Sequence, residues 1–256
     1  MIRGIDHVVL LASDLDTAAR RFEAAGLGVI PGGRHPAWGT ENALIPLADG
    51  AYLELLAAHD PHLAARHRLW SRPDGSLRAA GEFGGFALET DDIEGDSARA
   101  GELRMTRPQM GERHRPDGAV VRWRLSFTAR PDFPFLIADV TARSLRIPAT
   151  PVGLNARMQI AGVTVTVADL ATSTRLYGAL LAVPPRPVAH GRAAFATTRG
   201  RIVLHAPEET DSVLSPGLAA AVLSVSGDSD IPQLTAVAGG AILRVVREGD
   251  DAWTSF

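Results

Sequence analysis

The chain contains no cysteine and no lysine, so all 26 of its basic residues are arginine. Without cysteine it can form no disulfide bond, no thiolate nucleophile and no cysteine-ligated zinc site. Without lysine it can form no Schiff base and cannot supply the lysine of a P-loop. These two absences exclude several covalent mechanisms and one common nucleotide-binding motif.

Long apolar runs and a strong charge of one sign are also missing. No stretch approaches the roughly 20 apolar residues that a membrane-spanning helix needs. A formal net charge of −3 gives no electrostatic signature for nucleic acid or for an anionic membrane surface. The first residues lack a signal-peptide pattern, from which we expect a cytoplasmic location. A small molecule is the expected partner, and a homodimer remains an open alternative.

One pattern of an apolar strand, an acidic turn and a helix recurs four times along the 256 residues. The copies read IDHVVLLASDLD at the start, GGFALETDDIEG from Gly84, GVTVTVADLATS from Gly162 and VLSVSGDSDIPQ from Val222. The first copy continues into a helix to about residue 25 and three strands at 27–30, 43–47 and 51–57. Each copy therefore predicts a β-α-β-β-β module, and the fold class is α+β.

The later copies predict the same order with weaker signals. The second has a helix at 93–103 and strands at 119–128 and 133–138, and the third has a helix at 170–181 and strands at 193–197 and 201–205. The fourth is truncated, without an obvious final strand. Residues 59–72 predict an additional helix whose histidines His59, His62 and His67 lie on the surface. A linker at 148–155 divides the chain into domains at 1–147 and 156–256.

The modules resemble the vicinal oxygen chelate superfamily, and in particular its glyoxalase-like domain branch. The resemblance rests on the opening IDHVVLLASDLD, the stretch HPAWGTENALIPL and the later GAYLELLAA. It is clearest over residues 1–60, extends to about 140 and is faint beyond. It implies paired modules that curve into an open barrel around a cavity. It leaves the reaction open, because the superfamily includes isomerases, lyases, epimerases, ring-cleaving dioxygenases and metal-free antibiotic-binding proteins.

The same resemblance implies a metal site with one histidine on the first strand of a module and one glutamate on its last. His7 and Glu54 match these places, and imidazole with carboxylate suits Zn, Mn, Fe or Ni. A glutamate within YLELLAA is costly unless it is paired or bound to metal. We therefore expect both side chains to face one cavity and to share a metal ion or a water, with Glu54 also a catalytic candidate.

The second module offers no matching ligands. Gly85 is level with His7, and only Phe135 and Ile137 stand near the place of Glu54. Two protein ligands hold a metal weakly unless His35, a loop or a second chain completes the set. The alternative is a metal-free pair in which His7 and Glu54 hydrogen-bond to each other.

Further candidates follow from a loop and from a later strand. His35 is a possible base or third metal ligand, and Trp38 and Asn42 are predicted to contact the ligand. In VVRWRLSF, Trp123 and Arg124 lie on opposite faces, so that one of them enters the barrel. If Arg124 enters, an anionic ligand is indicated. Phe135 is the last predicted ligand contact.

Two functions from different classes remain. The first is a metal-dependent lyase, isomerase or dioxygenase that acts on a small oxygenated metabolite. The second is a metal-free protein that binds or sequesters a small molecule in the same cavity. The presence of His7 and Glu54 favours the first, and the absence of ligands from the second module favours the other.

Overall fold

The computed structural model describes residues 1–72, 74–147, 153–188, 191–207, 216–227, 234 and 241–250. These residues form two sheets, one closed into an eight-stranded barrel and one open with six strands. Helices are short and few beside them, which confirms the α+β class and the curved sheet that the repeats predict. Among the described residues, no helix combines the length and the hydropathy that crossing a bilayer requires.

The first half of the barrel is one complete module. It consists of β1 (Ile2–Ala12), α1 (Leu15–Ala24), β2 (Ile30–His35), β3 (Thr40–Pro46) and β4 (Tyr52–Ala58). Helix α1 begins where the acidic turn predicts, because the Asp14 side chain accepts a hydrogen bond from the Thr17 amide. Strand β4 returns to pair in parallel with β1, so that the first and last strands of the module are neighbours.

The segment between the modules is not the long helix predicted for 59–72. Its only helix within the described residues is the single turn α2 (Pro61–Ala64). A series of turns follows, and then an isolated bridge between Ser71 and Leu77. We call residues 59–82 the capping segment, because its turns bring His67 and Leu69 against the barrel cavity. The segment thus contributes side chains to the cavity where the sequence predicts a surface helix.

The second module completes the barrel. It consists of β5 (Phe83–Thr90), α3 (Ile93–Arg99), β6 (Gln109–His114), β7 (Val120–Ser126) and β8 (Phe135–Asp139), followed by α4 (Arg143–Arg146). The strand order around the barrel is β1-β4-β3-β2-β6-β7-β8-β5. Strands β1 and β5 close one seam, and the pairing of Arg34 with His114 joins β2 to β6 at the other. Strand β6 was not predicted from the sequence.

The open sheet repeats the barrel in abbreviated form. It contains β9 (Met158–Thr166), α5 (Leu170–Leu181), β10 (Arg186–Val188), β11 (Arg192–Ala196), β12 (Arg201–His205), β13 (Gly217–Val225) and β14 (Ile242–Arg247). Its order is β10-β11-β12-β9-β13-β14. Strand β14 pairs in parallel with β13 as β8 does with β5, so the final strand that the sequence did not reveal is present. Residues 148–152 of the predicted linker lie outside the described residues, as does Asp230.

Alternation along β1 divides its apolar side chains between two cores. Val8 and Leu10 belong to a cluster of buried residues that continues through the helices into the open sheet. Val9 and Leu11 point to the other side, into a cluster inside the barrel that also contains Trp123. The same alternation places His7 on the inner face with Val9.

The two sheets are joined by a turn that docks on β1. The Ile5 amide donates to the Arg199 carbonyl oxygen at 3.0 Å, and Arg199 Nε donates back to the Ile5 carbonyl oxygen at 3.2 Å. The Arg199 guanidinium also pairs with Glu89 of β5. Gly4 permits this approach, because a Cβ atom there would lie 2.6 Å from the backbone nitrogen of Arg199. The second half therefore contacts the strand that carries His7.

Candidate functional site

The barrel contains a narrow cavity with a free volume of about 40 Å³. Seven of the eight site residues predicted from the sequence line it. They are His7, His35, Trp38, Asn42, Glu54, Trp123 and Phe135.

His7 and Glu54 meet inside this cavity. His7 Nε2 lies 3.4 Å from Glu54 Oε2, and the two side chains are 4% and 10% exposed. They come together because β1 and β4 are parallel neighbours and both side chains lie on the inner face. The His7 ring stacks on Tyr52 at 4.6 Å and meets the edge of Phe135 at 5.4 Å. The imidazole is therefore fixed in place by aromatic contacts on two sides.

Asp6 sets the orientation of the His7 ring. A register shift between Ile5 and His7 marks an irregularity in β1 at Asp6, and Asp6 Oδ1 lies 2.6 Å from His7 Nδ1. Burial acts to raise the pKa of Asp6, but the Arg146 charge and hydrogen bonds from His7 and Arg146 hold that pKa well below its usual range. An ionised carboxylate only accepts hydrogen bonds, so Nδ1 carries the proton and Nε2 faces Glu54.

Arg146 of α4 holds the Asp6 carboxylate in place. The sequence analysis did not identify this residue. Its guanidinium contacts both oxygens of Asp6, at 2.8 and 3.0 Å, and donates to the Tyr52 hydroxyl at 3.0 Å. It also pairs with Asp139, and Arg143 reaches Asp6 at 2.6 Å. The acidic residue directly before His7 and the arginines of RSLR were the only sequence signals for this network.

Asn42 holds the other side of Glu54. Its Nδ2 donates to Glu54 Oε1 at 2.6 Å, which leaves Oε2 directed at His7. Space for this side chain comes from Gly32 on the neighbouring strand β2, where a Cβ atom would lie 1.9 Å from Asn42 Oδ1. Both members of the His7–Glu54 pair thus have one polar atom held by the protein and one directed at the partner.

His35 lies in the same cavity among aromatic rings. Its Nδ1 is 2.9 Å from the Thr40 hydroxyl, and its ring contacts Trp38 at 5.5 Å and Trp123 at 5.8 Å. Burial, with a smaller contribution from the Arg113 charge, lowers the pKa of His35 to about 3. The imidazole is therefore neutral near pH 7 and a weak base.

The structure resolves which face of VVRWRLSF enters the barrel. Trp123 lines the cavity, whereas Arg124 lies on the outer face and pairs with Glu94 of α3. Arg124 is therefore not brought to the site, because strand alternation turns it away from Trp123. Gly111 on the neighbouring strand makes room for the indole, since a Cβ atom there would lie 2.5 Å from Trp123 Nε1.

His67 was placed on the surface by the sequence analysis, which is wrong for this residue. It lines the cavity from the capping segment, with its ring 4.9 Å from Trp38 and 5.5 Å from Phe127. Burial lowers the pKa of His67 to about 4. The error follows from the wrong helix prediction for 59–72, which gave these histidines a solvent-exposed face.

The donor atoms fit a metal ion in chemistry but not in number. His7 Nε2 has the carboxylate behind its other nitrogen that metal-bound histidines have, and Glu54 Oε2 is directed at the same point. Catalytic metal sites usually supply about three protein ligands. Within the described ranges, no group of three His, Asp or Glu side chains could hold an ion. The second module contributes apolar Phe135 and Ile137 to the cavity instead.

Comparisons with known proteins agree with this architecture. A crystal structure of a hypothetical protein from Staphylococcus aureus matches with a TM-score of 0.74 at 16% identity, over 95% of this chain and 98% of that one. A xylose isomerase-like TIM barrel/4-hydroxyphenylpyruvate dioxygenase fusion protein matches with a TM-score of 0.51 at 14% identity, over 89% of this chain and 37% of the fusion. At these identities the likeness extends to the fold alone.

Sequence comparison is more specific. A search among curated proteins finds no match for this chain. The family model described as a glyoxalase-like domain matches residues 5–181, which include the barrel except for the first three residues of β1, the capping segment and the start of the open sheet. The chain belongs to the glyoxalase-like domain family.

Proposed function

We propose that the barrel binds a small oxygenated metabolite and that Glu54, assisted by His7, moves a proton on it. The reaction class is that of an isomerase or a lyase. The observation that carries the proposal is the 3.4 Å approach of His7 Nε2 to Glu54 Oε2 within the cavity, with the remaining polar atom of each side chain already held. Two groups that exchange protons need this combination of proximity and fixed orientation.

In the proposed mechanism, Glu54 Oε2 accepts a proton from a carbon atom next to a carbonyl group. The electron pair of the broken C–H bond moves to the carbonyl oxygen, and the proton returns from Glu54 to a different atom of the ligand. Once Glu54 Oε2 carries the proton, it can donate a hydrogen bond to His7 Nε2, which stabilises the protonated form. His35 is too weak a base to compete. In the proposed tautomer the Thr40 hydroxyl donates to His35 Nδ1, so that Nε2 of the neutral ring carries the proton and donates to the ligand oxygen.

A second candidate function uses His7 and Glu54 as two ligands of a divalent metal ion. Two ligands about 2.1 Å from a tetrahedral ion lie about 3.4 Å apart, which is the separation seen between Nε2 and Oε2. The carboxylate of Asp6 behind the imidazole also favours it. When bound, such an ion would polarise a carbonyl group as a Lewis acid. Water and ligand would complete its coordination.

A third outcome is binding without turnover. The cavity walls include the apolar or aromatic side chains of Trp38, Trp123, Phe135 and Leu125. Such walls suit sequestration of a small molecule as well as catalysis. An experiment must therefore separate chemistry, metal binding and simple binding.

The test measures exchange of carbon-bound hydrogen for deuterium. Untagged protein, purified without chelator, is incubated in D2O with small 2-oxo acids, hydroxyketones and aldehydes, and exchange is followed by NMR. We expect exchange by the wild-type protein and a loss of at least about 100-fold in Glu54→Gln. The matched control is Glu94→Gln, the same substitution on the outer face, which leaves exchange unchanged.

The other outcomes identify the alternatives. One metal ion per chain by elemental analysis, lost in His7→Ala, would establish the second candidate. Tight binding of a compound with no exchange by the wild-type protein would indicate sequestration. Full exchange activity in Glu54→Gln would contradict the role of Glu54 as the base.

A further inference from the structure

We infer that the ligand of the barrel cavity is a small carboxylic acid whose carboxylate is bound by Arg113. This inference names the ligand class of the site in the proposed function and rests on that function only for the location of the cavity. It is carried by one buried cation that lines the cavity and has no carboxylate partner among the described residues. Nothing in the sequence analysis pointed to Arg113.

Arg113 is a buried cation without a carboxylate of its own. It lies on β6, is 2% exposed and lines the cavity. Its Nη2 donates to the Arg146 carbonyl oxygen at 2.7 Å, but its Nε has no hydrogen-bond partner. Within the described part of the chain, no carboxylate lies within ion-pair distance of its guanidinium. Burial accordingly lowers the pKa of Arg113.

Arg146 and Glu54, which also line the cavity, already have partners within the protein. The Arg146 guanidinium is taken by Asp6 and Asp139. Glu54 is held by Asn42 and directed at His7. Arg113 is thus the cation lining the cavity that no carboxylate of the described residues pairs with, and a buried charge without an opposite charge beside it is unfavourable. A bound carboxylate would supply the missing charge and accept a hydrogen bond from the guanidinium.

The other walls of the cavity suit the carbon skeleton of such an acid. Trp38, Trp123 and Phe135 line the same cavity as Arg113 with aromatic rings.

The experiment compares acids with their uncharged amides. The probes are mandelate and lactate against mandelamide and lactamide, titrated into the wild-type protein with tryptophan fluorescence and the 15N resonances of arginine Nε as readouts. We expect each acid to bind at least about tenfold more tightly than its amide. In Arg113→Met the acid should lose at least about tenfold in affinity while the amide is unchanged. Arg124→Met is the matched control and should behave as wild type.

Folding and charge are controlled separately. Near-ultraviolet circular dichroism checks the tertiary structure of Arg113→Met, and Arg113→Lys keeps the charge, so it should retain part of the preference for acids. Equal binding of acid and amide by the wild-type protein, no binding of either acid, or a preference that survives Arg113→Met would overturn the inference.

The failure of this inference and that of the proposed function can be told apart. Preference for acids without any deuterium exchange would remove the proposed proton transfer and leave the role of Arg113 intact. Exchange of uncharged carbonyl compounds without preference for acids would remove the role of Arg113 and leave the proposed proton transfer intact. Glu54→Gln, which lacks the proposed base, should still distinguish acid from amide.

Discussion

Replacing Arg146 with methionine should destabilise the barrel strongly at neutral pH and much less in acid. The substitution keeps an apolar chain of similar length but removes both contacts to Asp6, the pair with Asp139 and the hydrogen bond to Tyr52. Removing one partner of a buried ion pair typically costs about 3–5 kcal/mol. Arg143 still reaches Asp6 at 2.6 Å, so we expect a loss near the lower end, about 3 kcal/mol.

The pH dependence follows from the burial of Asp6. In the wild-type protein the pKa of Asp6 is held below the ordinary 3.8, so its contribution to stability is present above that pH and is lost as the pH falls through the folded value. Without Arg146, burial would raise this pKa, and stability would instead increase as the pH falls. The difference between wild type and variant should therefore narrow from pH 7 to pH 4.

The assay is urea unfolding followed by tryptophan fluorescence, since Trp38, Trp70 and Trp123 all lie within the barrel or its capping segment. Arg124→Met serves as the control, because an exposed ion pair contributes at most about 1 kcal/mol. A loss below about 1 kcal/mol in Arg146→Met, or a loss that does not change with pH, would refute this account of the Asp6–Arg146 pair.

Two further predictions concern packing and protonation. Gly111→Ala should cost about 1–3 kcal/mol and shift the fluorescence of Trp123, because the new Cβ would lie 2.5 Å from Trp123 Nε1; Gly101→Ala, where a Cβ meets nothing within 4 Å, should change neither. His35→Gln should reduce acid sensitivity in unfolding experiments: the folded pKa of about 3 lies below the ordinary 6.5, so the wild-type protein loses up to about 1.4 kcal/mol per pH unit between these values. Equal slopes for variant and wild type would contradict the burial of a neutral imidazole.

Residues on regular strands of the first module were predictable from the sequence. Strand alternation and the family resemblance together indicated that His7 and Glu54 face one cavity. Alternation also limited the choice in β7 to Trp123 or Arg124, but which face is inside depends on how β7 pairs with β6, and β6 had not been predicted. Without that strand, Arg113 had no place in the site.

The residues that hold the site were harder to find for a physical reason. Asp6 lies at an irregularity of β1, where the period of two does not apply, and its partner Arg146 lies on a single helical turn. His67 belongs to a segment whose turns bring it against the barrel cavity. In each case tertiary contacts override the local pattern, which no single-sequence argument can anticipate.

The contacts of β1 also have a consequence for the order of folding. Asp6 of this strand pairs with Arg146, which lies 140 residues further along the chain. Ile5 contacts Arg199, which lies 194 residues further. Contacts between residues so distant in sequence form slowly, because a long loop must close before they do. During synthesis from the N-terminus, β1 and β4 can pair early and bring His7 to Glu54, while the carboxylate behind His7 stays unneutralised until α4 has been made. We therefore expect nascent chains that end before Arg143 to bring His7 and Glu54 together without holding the His7 imidazole in one orientation.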